Sequence, residues 1–75
     1  MELTVFIKNF ADLFEDTDAS EFSAETIYQD LDEWSSLITM SVVAMVRTKY
    51  NKAVTGKEIH SCETISELFD LVAAK

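Results

Sequence analysis

Residues 36–50 read S-L-I-T-M-S-V-V-A-M-V-R-T-K-Y. The run has neither Gly nor Pro and closes on Asn51, which predicts one helix of about four turns. On a helical period, Thr39, Val42, Val43, Val46 and Tyr50 share one side, a sufficient core stripe. Leu37, Ile38, Met40, Ala44 and Met45 lie off that stripe, so the helix is apolar nearly all round. Such a helix is normally enclosed on every side, and a chain of 75 residues cannot enclose one. The surplus face must therefore receive the preceding loop or a partner. For any one residue the two are comparable; the five together favour a partner.

Toward the N-terminus, Leu3, Phe6, Ile7, Phe10, Leu13 and Phe14 fall at helical spacing and predict an amphipathic helix over about residues 2–15. Asp16–Ser23 (DTDASEFS) is polar and helix-breaking, and opens a loop that runs to about Ser35. Phe22, Ile27 and Leu31 are its expected anchors on the core. Toward the C-terminus, Thr55 and Glu58 have the spacing of a capping box, in which each side chain satisfies an orphan amide of the first turn. A short third helix is expected at about 57–61. Thr64 and Glu67 repeat the box, and Ile65, Leu68, Phe69 and Val72 supply the stripe of a last helix, about 64–74. The expected architecture is one domain, residues 1–75: an all-α, small four-helix bundle, three helices long and one short, with a long loop between the first two.

Charge narrows the partners. Residues 1–33 carry ten acids against Lys8, whereas residues 34–75 carry four acids against five bases, for a net charge of −8 overall. Nucleic-acid binding needs clustered Lys and Arg, so no nucleic-acid partner is expected. Cys62 is the only cysteine and cannot form an internal disulfide, which suits a reducing compartment. No apolar run approaches the ~20 residues of a membrane span, and no secretory signal pattern opens the chain. The expectation is a cytoplasmic monomer.

Few side chains carry chemistry. Either serine of Trp34-Ser35-Ser36-Leu37 is most simply a helix N-cap. The two can divide the work: if Ser35 caps, Ser36 becomes the first helical residue with its hydroxyl projecting outward. A phosphodiester there would meet unpaired amides and the positive end of the helix dipole. Asp16, Asp18 and Ser20 open like a calcium loop, but Glu21 stands at the required Gly and Ile27 at the closing acid, so that site is rejected. His60 and Cys62 have no further ligands nearby and read as structural residues. No nucleophile elbow or phosphate-binding Gly-rich loop fits a chain with one glycine. Neither catalytic nor metal-binding residues are assigned, and the chain does not read as an enzyme.

Gln29-Asp30-Leu31-Asp32-Glu33-Trp34-Ser35-Ser36-Leu37, placed between a first amphipathic helix with a long loop and a second helix, resembles the E/Q-D-L-…-D-S-L segment of the acyl carrier protein family. Lys57–Ser61 and Thr64-Ile65-Ser66-Glu67-Leu68-Phe69-Asp70-Leu71-Val72 resemble that family's short third helix and closing T-[IV]-x-x-[LA]-x-x-x-[IV] helix, so the resemblance covers most of the chain. It implies that Ser36 receives 4′-phosphopantetheine from coenzyme A through a separate phosphopantetheinyl transferase. The arm would then hold acyl groups as thioesters for acyl-loading and acyl-transfer enzymes, the protein supplying positioning and recognition. Two positions depart from the family. Ser35 replaces the usual Asp before the modified serine, and no acid occurs from Leu37 to Tyr50, where Ile38 and Ser41 stand at common acid positions and Arg47 and Lys49 close the helix. These departures imply a specialised carrier, in a lipid or polyketide-type pathway. An aminoacyl or peptidyl carrier of the nonribosomal type ranks lower, because the Gly-rich approach to the serine is missing. An unmodified helical interaction module, using the apolar face of the second helix, is the alternative of a different class.

Overall fold

A computed structural model describes residues 1–75. Four helices follow in order, α1 (Leu3–Ala11), α2 (Ser36–Tyr50), α3 (Gly56–Ser61) and α4 (Ile65–Ala73), with single 3₁₀ turns at Ala19–Glu21 and Tyr28–Asp30 in the long loop. The chain is an all-α four-helix bundle without strands.

Helix α1 forms because its apolar positions line one face: Phe6 and Phe10 are fully buried. It ends at Ala11, earlier than the periodicity suggests. Leu13 and Phe14 donate their amides to Phe10 and Ala11, three residues back, and so tighten the chain into turns. The amides of Glu15 and Asp16 then go to the Glu33 carboxylate at 2.9 and 3.0 Å instead of to helical carbonyls. Phe14 keeps its place in the core nonetheless.

Around Phe10 the core is aromatic. Its ring lies 5.6 Å from Phe14, 6.3 Å from Phe22 and 5.5 Å from Tyr28, and stacks nearly parallel on Trp34 at 6.4 Å. Two of the loop's expected anchors hold, Phe22 as a buried ring and Leu31 packed at the core's margin, but Ile27 stays exposed. The adjacent Tyr28 takes its place. Its hydroxyl donates to the carbonyls of Ile59 and Cys62, tying the loop to α3, and burial raises its pKa. A buried phenol with its donor satisfied adds ring area to the core without the cost of an orphaned polar group.

Both capping boxes are present. Thr55 and Glu58 open α3, and Thr64 and Glu67 open α4. At α4 the loop completes the seal, because Ile65 donates to Thr26 and Ser66 to Ala24. Helix α2 ends as its sequence suggests, with Asn51 in the left-handed conformation (φ 55°) and its amide on the Arg47 carbonyl.

The core face of α2 differs from the expected one. Ile38, Thr39, Val42, Met45 and Val46 are buried, whereas Val43 and Tyr50 are only half-buried. The buried stripe is turned by about 60° from the one read off the sequence, at about 100° per residue. Ile38 and Met45 thus leave the surplus face and join the core. Leu37 and Met40, 75% and 70% exposed, remain outside with Ala44.

Candidate functional site

The start of α2 separates two serines by role. Ser35 is extended (φ −157°, ψ 172°), and its Oγ accepts from the Ile38 amide at 3.2 Å while its carbonyl accepts from Thr39. Ser36 follows as the first helical residue, exposed, and its hydroxyl joins no hydrogen bond within the chain. The amides of Ser36 and Leu37 likewise have no acceptor in the chain. An outward hydroxyl beside two free amides at the positive end of a fifteen-residue helix suits a covalently held phosphodiester. Leu37 and Met40 stand next to it on the exposed face.

Glu33 braces this approach. Its carboxylate accepts from the Glu15 and Asp16 amides and from the Thr17 hydroxyl at 2.8 Å, so one side chain joins the end of α1 to the segment that leads into α2. Nothing in the sequence separates Glu33 from its acidic neighbours, because the amides it meets belong to residues 17 and 18 positions earlier in the chain.

The Thr17 hydroxyl first, and then the Glu15 amide, hold the Glu33 carboxyl below its ordinary 4.5 against a weaker opposing effect of burial. A carboxyl depressed in the folded state contributes stability above its unfolded pKa, and that contribution is lost as pH falls through the folded value. Asp18, held down chiefly by the Ser20 amide, and Glu58, held down chiefly by Lys75, act in the same sense. Melting curves recorded between about pH 5 and pH 3 should therefore show a steeper loss in wild type than in Glu33→Gln. The variant is the necessary reference, because acid also relieves the repulsion among the other carboxylates. Parallel curves would remove Glu33 as a brace.

Three surface grooves lie around the site. One, of about 390 Å³, is lined by the acids Asp16, Glu21, Asp30, Asp32 and Glu33 with Thr17 and Leu31. A second, also about 390 Å³, is lined by the acids Glu15 and Glu33 with Ser35, Leu37, Leu13, Ile38 and Ser41. A third, of about 370 Å³, lies between α1 and α2, lined by Leu13, Ala44 and Met45 and by the polar Asn9, Asp12, Ser41, Thr48 and Lys49.

The remaining candidates fall elsewhere. Cys62 is buried and its thiol is pushed up by desolvation, which keeps it protonated. The His60 ring pairs with the Gln29 side chain at 3.1 Å. No three His, Cys, Asp or Glu side chains are placed to share a metal ion, and no helix is long and apolar enough to cross a membrane. Compared with family models, with curated proteins and with solved structures, the chain finds no match.

Proposed function

We propose that this chain is an acyl carrier whose Ser36 takes a 4′-phosphopantetheine arm, in a specialised lipid or polyketide-type pathway. The observation that carries the reading is the division of labour at residues 35 and 36: Ser35 caps α2, which leaves the Ser36 hydroxyl exposed and unbonded in the first turn. In the transfer, the Ser36 Oγ–P bond forms as the pyrophosphate bond of coenzyme A breaks. The adenosine bisphosphate half leaves, and the hydroxyl proton passes to the transferase. When bound, the arm supplies a terminal thiol that holds cargo as a thioester.

The chain's own residues then position and present. The free amides of Ser36 and Leu37 suit the phosphodiester, and Leu37 and Met40 offer apolar contact to a visiting enzyme. The lack of acids along α2, with Arg47 and Lys49 exposed in its last turn, is the reason for reading a specialised carrier.

Intact mass after incubation with coenzyme A and a permissive phosphopantetheinyl transferase tests this. Wild type and Ser35→Ala should gain one phosphopantetheine, and Ser36→Ala should gain none. Ser35→Ala should also lose about 0.5–2 kcal/mol of stability as a removed cap. An arm mapped to Ser35 by peptide mass spectrometry would overturn the assignment, and no mass gain in wild type would leave α2 as a plain docking face.

A further inference from the structure

We propose that Glu33 is a positioning residue for arm attachment: by clamping the approach to Ser36 onto the turn that follows α1, it holds that serine in the placement a phosphopantetheinyl transferase needs. The inference rests on the carrier reading above.

Ser36 stands three residues beyond Glu33, so a fixed Glu33 keeps the serine within about 10 Å of the turn. Neither Gly nor Pro occurs from Leu31 to Leu37, and Ser35 and Ser36 are both exposed. The order of this segment has to come from its anchors, and three consecutive residues supply one each. Glu33 reaches back with both oxygens engaged. Its Oε2 accepts from the Glu15 amide, and its Oε1 accepts from the Asp16 amide and the Thr17 hydroxyl. Trp34 stacks on Phe10 of α1 and on Phe14 of the turn, at 6.4 and 6.5 Å. Ser35 then caps α2. The first two anchors grip the end of α1, one by its backbone and one by its rings. The third passes that placement to the helix that carries Ser36.

Glu33 holds by geometry, not by opposite charge. No Lys or Arg lines either groove that contains it, whereas Glu15, Asp16, Glu21, Asp30 and Asp32 do. Those carboxylates oppose the clamp, and only hydrogen-bond donors sustain it. A carboxylate can accept from all three donors at once. A glutamine of the same shape has one accepting oxygen and turns an NH₂ toward an amide that also donates. Glu33→Gln therefore relieves repulsion and still breaks the clamp. Thr17→Val makes the complementary change, keeping the Glu33 charge and removing one donor. A partner reading the Glu33 charge would respond to the first variant alone.

A loosened approach taxes recognition. If the segment holds its native placement in about a tenth of the molecules, the KM for the carrier rises about tenfold. The kcat stays, because the transferase turns over only the correctly placed molecules.

The test measures phosphopantetheine transfer by intact mass across a carrier concentration series, with saturating coenzyme A and a permissive transferase. Glu33→Gln should raise the carrier KM about tenfold at unchanged kcat. Thr17→Val should move KM in the same direction, and Thr17→Ser, which keeps the hydroxyl, should restore it. The double variant Thr17→Val/Glu33→Gln should be no worse than Glu33→Gln alone, because both remove one contact. Thr64→Ala, which removes the cap of α4 and no part of the clamp, is the control for general destabilisation and should leave KM unchanged. A wild-type KM for Glu33→Gln, a response to Glu33→Gln without one to Thr17→Val, or an equal rise in Thr64→Ala would each overturn the proposal. Hydrogen exchange on the unmodified protein supplies a readout that needs no transferase. The Trp34 amide, bonded to Leu31, and the Ile38 amide, bonded to the Ser35 hydroxyl, should lose protection in Glu33→Gln while α4 keeps its own. Unchanged protection at both amides would also overturn the clamp. No mass gain in wild type sinks the carrier reading instead, and the exchange measurement then judges the clamp by itself.

Discussion

Phe10→Ala should lower the unfolding free energy by about 3–5 kcal/mol. At about 0.05–0.15 kcal/mol per residue, a chain of this length has about 4–11 kcal/mol in total, so the variant should be partly or largely unfolded at room temperature. The size of the effect follows from position. Phe10 is fully buried and meets four other rings, one of them Trp34, which stacks on it at an interplanar angle of 7°. The rings come from the end of α1 and from the loop, so truncation would leave a cavity that no single element can collapse to fill. Trp34 fluorescence and far-ultraviolet circular dichroism followed through a urea titration provide the measurement. Val5→Ala, on the exposed side of the same helix, should stay within about 0.5 kcal/mol of wild type. A Phe10→Ala protein that melts cooperatively within about 1 kcal/mol of wild type would mean that the aromatic cluster is not the folding core.

The residues that proved legible are those whose signal is local. Both capping boxes, the Asn51 stop and the bounds of α2 depend on residues within one turn of each other, and the structure keeps all of them. The stripe through Phe6 and Phe10 is local as well. What could not be read depends on pairing at a distance. Helix α1 stops early as Leu13 and Phe14 tighten into three-residue turns, and Glu33 then takes the next two amides, which a longer helix would have used. Tyr28 displaces Ile27 as the loop's anchor because two carbonyls in and after α3 await its hydroxyl. The rotation of the α2 stripe has the same origin. Periodicity orders residues around an axis, but which arc faces inward is decided by the neighbours. At the candidate site, Ser35 as cap was legible from residue type and position. Glu33 as brace was not, since its partners are close only after folding.

Leu37 and Ile38 turn this rotation into the sharpest test of the site. Either residue replaced by Asp enters the first turn of α2, where a carboxylate gains about 0.3–1 kcal/mol from the helix dipole. For Leu37, 75% exposed, little opposes that gain, so Leu37→Asp should fold as well as wild type or slightly better. Ile38 is 8% exposed, and Asp there forfeits apolar burial and leaves a carboxylate with no partner. That loss, about 3–5 kcal/mol, outweighs the dipole and should melt much of the protein. Two neighbouring substitutions of the same kind are thus expected to move stability in opposite directions. Docking separates them again. Leu37→Asp removes an exposed apolar anchor beside the proposed arm site from an otherwise intact bundle, so affinity for a partner enzyme should fall about tenfold, the equivalent of about 1.4 kcal/mol. Wild-type affinity should change little across a salt series, because α2 presents no acid to screen. Equal stability of the two variants would refute the orientation of α2. A steep loss of wild-type affinity with salt, with Leu37→Asp binding normally, would move the docking face from α2 to the acids of α1 and the loop.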